Sequence, residues 1–314
     1  MSLLNKIKML TRVVCVTSTV IISVFYISNV TAEETRLIKL GAEKLVRLNL
    51  ESGAKVNVNV WDRENVEINY DDESQQLSNY IIDIDTDSSG IEISSKLKNS
   101  GNMQLTFDLK VPKETQLCLV SNGGPIKVSG LIGGLSSCSS SKNDNQGTVA
   151  IHSAGGRIHV DSAPQGAEIK TGGGGISIEN AAKFVIADTG GGDINIETVN
   201  GSVKAKTGAG DIKLKIFQDS EHTNDINLVS GLGDVWLYLP KGFSMNLNVE
   251  ISYTSDTSGA YKVDSYFPFT LSKSNKRTSS GTPKQHLQGN TLTNDGKHNV
   301  SIKATNGNVY IREI

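Results

Sequence analysis

The sequence predicts an all-β protein built as a β-solenoid-like stack of two-strand coils. Two observations lead to this prediction: a glycine-centred phrase recurs at constant spacing, and aliphatic residues alternate with polar ones on both sides of it. The phrase begins at Thr171, Thr189 and Thr207, a period of 18 residues, and recurs at Ser153 and Ser230. A fixed period of this length is typical of stacked supersecondary units that each contact their neighbours.

Residues 1–32 have the pattern of a secretory signal peptide. Basic residues precede the uncharged run 13–27, and small residues follow this run up to Ala32. This order matches the n-region, h-region and cleavage site of a signal, so we expect cleavage after Ala32. The run is short against the roughly 20 apolar residues of a membrane span. An uncleaved N-terminal anchor is the alternative, and it would be the chain's only membrane contact.

Residues 33–115 form a predicted N-terminal β cap region. Apolar and polar residues alternate over 55–60, 66–70 and 103–111, and Gly, Asp, Asn and Ser separate these runs. Such alternation indicates strands with one buried face. The first coil of a solenoid would otherwise leave a strand edge unpaired, so we expect these strands to form an antiparallel sheet that caps the stack.

Residues 116–314 form the predicted β-strand-repeat solenoid. Each coil has one strand before the glycine turn and one after it, with aliphatic residues at inward positions. These positions recur in the first strand as Val149, Ala167, Val185 and Val203, and in the second as Ile158, Ile176, Ile194 and Ile212. Parallel pairing of successive coils would place two sheets about 10 Å apart across an aliphatic core.

The glycine-rich turns fit a chain that reverses between two close sheets. Positive φ angles or backbone crowding at such a turn would oppose a Cβ. We expect the Thr or Ser that opens each phrase to hydrogen-bond locally to the turn. Two polar stretches interrupt the pattern: the Ser-rich 136–145, a predicted exposed loop, and the Ser/Thr/Lys-rich 252–297, a predicted long loop.

Cys118 and Cys138 would be the two cysteines of a chain cleaved after Ala32. A secreted protein can keep a disulfide. The predicted strand register places the two residues on neighbouring coils about two residues out of line, near the limit of disulfide geometry. We therefore favour two independent side chains, and one bridge is the alternative.

The strand order and its motifs resemble a known family. The segment 107–113, the serial Thr-Gly-x-Gly-Asp-Ile units and the Val-x-Leu-x-Leu-Pro strand at 235–240 resemble the bacterial β-strand-repeat family named "putative adhesin", also called toastrack-like. The likeness covers nearly all of 35–314. It implies an envelope or surface protein without catalysis, tied to adhesion in some members and to envelope-stress signalling in others. Its motifs are structural, so no functional residue transfers.

Composition and motifs weigh against several functional classes. The net charge of −2 and the pI near 6.2 argue against a nucleic-acid partner, which leaves a basic footprint. No phosphate-binding loop or nucleophile elbow appears, so we expect no cofactor and no catalytic residue. The five histidines show no short metal spacing, and we expect them on the surface. His152 and His159 should lie on different sheets.

Stacked carboxylates allow an enzyme alternative. Parallel β-helices host carbohydrate-active enzymes that use paired carboxylates, and Asp193 with Asp211, or Glu179 with Glu197, would stack in this way. Turn chemistry and a solvated strand edge explain them better. The sequence 190–193 also departs from the Gly-Gly-x-Gly-x-Asp spacing of calcium-binding β-rolls, so no metal site is predicted.

A flat outer face of one sheet is the candidate interaction surface. Its predicted residues are Lys127, His159, Asn195, Lys213, Trp236 and Tyr238. Trp and Tyr are frequent anchors of binding surfaces, although these two could instead shield the last coil. We expect a non-catalytic, secreted, adhesin-like module of the cell envelope, in the periplasm or at the cell surface, that binds a protein or glycan. A periplasmic scaffold or sensor of envelope stress is the alternative, and a carbohydrate-active enzyme is the least favoured.

Overall fold

The computed structural model describes residues 34–74, 76–99, 105–133, 149–218, 224–254, 261–277 and 283–314. The predicted signal segment, the Ser-rich loop 136–145, Cys138 and His222 lie outside these residues. Contacts divide the chain into Met1–Glu34 and Thr35–Ile314, and the second of these units contains the fold given below.

Strands account for almost all regular structure in the described residues. The N-terminal strands are β1 (Glu34–Lys39), β2 (Leu45–Leu50), β3 (Lys55–Trp61), β4 (Asn65–Asp72), β5 (Tyr80–Thr86), β6 (Gly90–Leu97) and β7 (Leu105–Pro112). The repeat strands are β8 (Gln116–Ser121), β9 (Ile126–Ser129), β10 (Val149–Ser153), β11 (Ile158–Ala163), β12 (Ala167–Thr171), β13 (Ile176–Ala181), β14 (Phe184–Thr189), β15 (Ile194–Val199), β16 (Ser202–Thr207), β17 (Ile212–Ile216), β18 (Asp225–Ser230) and β19 (Val235–Leu239).

The C-terminal strands are β20 (Met245–Thr254), β21 (Val263–Ser265), β22 (Thr270–Arg277), β23 (Pro283–Thr293), β24 (His298–Thr305) and β25 (Val309–Glu313). The described helical structure is a single 3-10 turn at Leu77–Asn79. In the described part of the chain, no helix combines the length and apolar character that crossing a membrane requires.

The strands form two large sheets. The front sheet has the order β1-β4-β7-β3-β9-β11-β13-β15-β17-β19-β25-β21, and the back sheet has the order β22-β23-β20-β24-β18-β16-β14-β12-β10-β8-β2-β6-β5. Within the repeats each coil gives one parallel strand to each sheet, and the predicted 18-residue register is confirmed by the pairs Val149↔Ala167 and Ile176↔Ile194. Inward aliphatic side chains of both sheets form one continuous core. The predicted all-β, solenoid-like fold is therefore confirmed.

The N-terminal region differs from the antiparallel cap sheet that we predict from the sequence. Its strands β2 and β3 pair in parallel with the first repeat strands β8 and β9, and β6 and β7 continue both sheets in parallel. Antiparallel pairing occurs at β4–β7 and β5–β6. The reason is packing: Val46 and Leu48 of β2 pair with Leu117 and Leu119 of β8. The N-terminal strands therefore continue the two sheets and extend the aliphatic core, and they do not form a separate cap layer.

Residues 252–297 are not the predicted long loop. Strand β20 runs to Thr254, and β23 pairs antiparallel with both β20 and β22 to form the edge of the back sheet. Side chains of β22 from Thr270 to Asn275 are largely exposed. A hairpin at a sheet edge needs few apolar residues, so its polar sequence has no hydrophobic alternation that would reveal the strands.

Cys118 is disulfide-bonded, so our preference for independent cysteines is wrong for this residue. The other two cysteines of the sequence, Cys15 and Cys138, lie outside the described residues. Cys118 sits on the outer face of the back sheet, between Arg47 and Ala150, and yet is 3% exposed. The register behind that preference places Cys138 on the coil next to that of Cys118, whereas β8 pairs directly with β10 through Leu117 and Val149.

His298 is fully buried, which corrects the expectation that all histidines lie on the surface. Its ring stacks on Phe243 with centroids 4.7 Å apart, and its Nδ1 accepts a hydrogen bond of 3.0 Å from the N–H of Asn224. A buried backbone N–H needs an acceptor, and the imidazole supplies one. His152 and His159 lie on different sheets as predicted, the former in β10 and the latter in β11.

Close approach between coils explains the glycine turns. A Cβ on Gly174 would lie 1.8 Å from the carbonyl oxygen of Gly156 in the preceding coil. In contrast, a Cβ on Gly173 would meet nothing within 4 Å. The equivalent middle position holds Ala209 and Leu232 in later coils. Glycine is therefore required where two turns touch and is optional where the turn faces solvent.

The hydroxyls that open the turns link neighbouring coils. Oγ1 of Thr189 donates to the carbonyl oxygen of Gly174 at 2.8 Å, and Oγ1 of Thr207 donates to that of Gly192 at 2.9 Å. The predicted local bond is also present, since the N–H of Gly191 donates to Oγ1 of Thr189. The hydroxyl of Thr189 thus fixes its own turn and also joins it to the preceding coil.

Candidate functional site

One row of paired side chains runs along the outer face of the front sheet. Ladder pairing joins them in the order Asn57, Lys127, His159, Ser177, Asn195, Lys213, Trp236, Tyr310 and Asp264. Five of the six predicted surface residues therefore lie in one row. The sixth, Tyr238, belongs to the next row, between Lys215 and Arg312.

Most of this row is polar, and two of its side chains lie beside a carboxylate of the next row. Nε2 of His159 lies 3.3 Å from Oε1 of Glu179, and Nζ of Lys213 lies 3.8 Å from Oε1 of Glu197. Exposed pairs of this kind contribute little to stability, about 0–1 kcal/mol each. These polar side chains keep the face hydrated over most of its length.

Aromatic side chains interrupt the polar row at its C-terminal end. The rings of Trp236 and Tyr310 stack with centroids 5.3 Å apart and an interplanar angle of 12°. Cations lie over Tyr310, with Nζ of Lys262 and Cζ of Arg312 each 5.9 Å from its centroid. One face of Trp236 is thereby covered, and both aromatic side chains remain half-buried rather than fully enclosed.

An ion pair holds the short edge strand β21 beside this stack. Nη1 of Arg312 lies 3.0 Å from Oδ1 of Asp264 and also donates to the backbone carbonyl of Asp264 at 2.8 Å. The hydrogen bond from Arg312 lowers the pKa of the Asp264 carboxyl below its ordinary value. The carboxylate is therefore charged at neutral pH, and it pairs with both of the cations over Tyr310, Lys262 and Arg312.

An open groove lies on the other side of Trp236. We call it the aromatic groove; it has a volume of about 420 Å³, and its lining includes Asp193, Asn195, Asp211, Lys213, Trp236 and Tyr238. Lys213 stands between Asn195 and Trp236 in the ladder, but its Nζ reaches toward Glu197 and lies 5.9 Å from the Tyr238 centroid. The lysine side chain therefore leans along its strand, and the groove stays open.

The floor of the groove borders a ladder of turn carboxylates. Oδ1 of Asp193 accepts the N–H of Asp211 at 2.9 Å, Oδ1 of Asp211 accepts the N–H of Asp234 at 2.8 Å, and Oδ1 of Asp234 accepts the N–H of Asn308 at 2.7 Å. Each aspartate thus uses one oxygen to hold the next coil. A carboxylate has about four acceptor positions, so its second oxygen can accept further donors.

Asn195 contributes an incompletely satisfied amide to the groove. Its Nδ2 donates to Oε1 of Glu197 at 2.8 Å. Its Oδ1 is shielded from solvent and has no hydrogen-bond partner among the residues that the structure describes. A buried acceptor without a donor is costly, about 1–3 kcal/mol.

The family of the chain is shown by a family model. The Toastrack DUF4097 model matches residues 44–312, which is most of the chain and the whole of the two-sheet repeat region up to Arg312. The chain belongs to the Toastrack DUF4097 family. The resemblance that the sequence motifs predict is therefore confirmed.

Solved structures are also similar to this Toastrack chain. One is named "putative adhesin" and comes from Bacteroides fragilis: it is 12% identical, covers 91% of this chain and 98% of its own, and has a TM-score of 0.41. Another is named "putative cell adhesion protein" and comes from Clostridium sporogenes, with 14% identity, coverage of 90% and 99%, and a TM-score of 0.24. No curated protein shows significant similarity.

The carboxylates of the enzyme alternative have structural partners in the Toastrack chain. Glu179 lies beside His159, Glu197 pairs with Lys213, and Asp193 and Asp211 each accept a backbone N–H of the next coil. Within the described ranges, no group of three or more His, Cys, Asp or Glu residues is placed to hold a metal ion. The lack of catalytic, cofactor and metal residues stays a prediction.

Sequence reasoning missed three residues of the site: Tyr310, which stacks on Trp236, and Asp193 and Asp211, which line the groove. The strand 309–311 repeats the apolar-aromatic-apolar pattern of 235–237, which could have placed Tyr310 beside Trp236. The aspartates were assigned to turn chemistry. The structure gives them that role and also places them at the groove.

Proposed function

We propose that this Toastrack chain is a non-catalytic, adhesin-like interaction module of the bacterial cell envelope, secreted through its N-terminal segment. It binds its partner with the C-terminal part of the front-sheet outer face. The aromatic groove beside Trp236 carries this proposal, because large aromatic side chains next to a recess are preferred binding anchors.

The position of Trp236 argues against a role as a shield for the last coil. Beyond β19 the front sheet continues with β25 and β21, so the edge of the sheet lies two strands further on. Trp236 packs on Tyr310 of β25 on one side. Its other side borders an open groove, which a shielding residue would not need.

Two measurements on intact cells that carry the full-length chain test the proposal. The first is digestion by an added proteinase, read with an antibody to the exposed hairpin β22–β23. We expect digestion without opening the envelope. Protection until the envelope is opened would contradict the adhesin proposal and would favour a periplasmic scaffold or sensor.

The second measurement compares adhesion of cells that carry Trp236→Ala with cells that carry Trp61→Ala. Trp61 is a half-buried tryptophan near the opposite end of the same sheet, where it contacts Arg63 and Lys110. Loss of an anchor costs about 2 kcal/mol or more, a fall of roughly thirty-fold in affinity. We expect this fall for Trp236→Ala alone, and equal adhesion of both variants would refute the assignment of the surface.

A further inference from the structure

We propose that the aromatic groove binds a neutral carbohydrate, with one sugar ring lying on the free face of the Trp236 indole. This inference rests on the proposed function and names the chemical class of its ligand. The groove combines one flat apolar surface with several polar groups of both signs, and this combination is what a saccharide requires.

The apolar part of the groove suits the C–H face of a sugar ring. Tyr310 covers one face of Trp236 at a centroid distance of 5.3 Å, while the groove opens on the other side of the indole. An aromatic face is electron-rich, so it attracts the slightly positive C–H groups of a pyranose ring. The stack also fixes the indole plane before a ligand arrives, which lowers the entropic cost of binding.

The polar part of the groove suits hydroxyl groups. Asp193 and Asp211 each hold a neighbouring backbone N–H through one oxygen, which leaves the other oxygen for a ligand donor. Lys213 supplies a donor at the same groove. A sugar hydroxyl both donates and accepts, so a set of vicinal hydroxyls can satisfy such a mixed lining.

Charge in the groove favours a neutral ligand. Two aspartates face one lysine along its lining, so a phosphate or carboxylate ligand would meet like charge at the turn side. Nζ of Lys213 is also engaged by Glu197 at 3.8 Å. The groove therefore lacks the free cationic cluster that anionic ligands need.

The same lining disfavours a protein partner. The centres of protein–protein interfaces are depleted of charged residues and are surrounded by a broad packed patch. Here charged side chains lie directly beside Trp236, and the row that continues from Lys213 to Asn57 is polar. The groove is a small, open recess rather than a broad apolar patch.

Tryptophan fluorescence gives a direct test on the secreted chain. The sequence contains two tryptophans, Trp61 and Trp236, so Trp61→Phe leaves Trp236 as the single reporter. The probes are soluble oligosaccharides of glucose, mannose, galactose, xylose and N-acetylglucosamine, with polygalacturonate as the anionic comparison. We expect at least one neutral probe to change the Trp236 emission in a saturable manner at millimolar concentration or below.

Variants of the anchor complete the test. Trp236→Ala should weaken binding of that probe at least ten-fold, while Trp236→Phe, which keeps an aromatic face, should lose less. Far-ultraviolet circular dichroism and urea midpoints identify any variant that fails to fold, and the phenylalanine variant then carries the comparison. Binding that survives unchanged in folded Trp236→Ala would overturn the proposal.

The remaining outcomes separate this inference from the proposed function. If no neutral probe binds, or if polygalacturonate binds more tightly than all of them, the carbohydrate assignment is wrong. Where Trp236→Ala still abolishes cell adhesion, the interaction module stands, and its partner is a protein if no probe binds or an anionic glycan if polygalacturonate binds. If a neutral probe binds Trp236 but the chain is protected in intact cells, the sugar site stands and the adhesin proposal fails.

Discussion

Gly174→Ala is expected to be strongly destabilising, although it adds one methyl group to an exposed turn. The new Cβ would lie 1.8 Å from the carbonyl oxygen of Gly156, whereas ordinary contact begins at 3.4 Å. The two coils must therefore separate locally by roughly 1.6 Å, the difference between these distances. The adjacent coil-to-coil hydrogen bond from the N–H of Ile158 to the oxygen of Gly175, now 2.9 Å, would be stretched beyond its normal range.

The magnitude follows from these two effects. Overpacking costs about 1–3 kcal/mol, and a lost hydrogen bond adds about 1 kcal/mol. We expect a total near 3 kcal/mol, which corresponds to a fall in melting temperature of about 6–12 °C if each kilocalorie shifts it by about 2–4 °C.

Gly173→Ala is the matched control, because it makes the same chemical change at the next position. A Cβ at Gly173 meets nothing within 4 Å, and its φ is not in the left-handed region. We expect no loss, and a gain of up to about 1 kcal/mol from the reduced freedom of the unfolded chain. Urea and thermal unfolding followed by circular dichroism measure both variants. Equal midpoints for the two variants would refute the idea that coil contact selects these glycines.

Further predictions concern the core, the turn hydroxyls and the edge strand. His298→Ala removes the stack on Phe243 and the acceptor of a buried N–H, so urea unfolding should show a loss of about 3 kcal/mol. Thr207→Val keeps the shape but removes a buried inter-coil bond, and the same assay should show a loss of about 1 kcal/mol. The Asp264 carboxyl should titrate by NMR below the ordinary value of about 4, and Arg312→Ala should raise its pKa. A folded-state pKa below the unfolded one stabilises the chain above pH 4, and this contribution is lost as the pH falls through the folded-state pKa.

From Val149 to Leu214 the repeat region could be predicted to single-residue register, because each coil in this range encodes the same information. The predicted register before Val149 is wrong, because Val149 pairs directly with Leu117. The inward positions are aliphatic in every coil, and a slip of one residue would turn them all toward solvent. Such redundancy is absent at the ends. The polar hairpin β22–β23 has no apolar alternation, and the parallel pairing of β2 with β8 depends on which distant strand lies nearest in space.

The site was only partly predictable for a similar reason. The period placed Lys127, His159, Asn195, Lys213 and Trp236 in one row, because their spacing follows the coil length. The groove itself depends on side-chain conformation, which a period does not encode. Whether Lys213 fills the space beside Trp236 or leans away is decided by its neighbours along and across the strand.

The ladder of turn carboxylates and the proposed sugar site share the same aspartates, so coil spacing affects both the stability of the fold and the geometry of the site. Asp193 and Asp211 are held at one coil repeat by their bonds to the N–H of Asp211 and Asp234. The hydrogen bond from the backbone N–H restricts each aspartate side chain. The second oxygen of each carboxylate is therefore held at a fixed position relative to Trp236. Binding then spends little free energy on ordering the site. Because the glycines at the touching positions of the turns set the coil spacing, a substitution such as Gly210→Ala, whose Cβ would lie 2.3 Å from the carbonyl oxygen of Gly192, should disturb stability and sugar binding together.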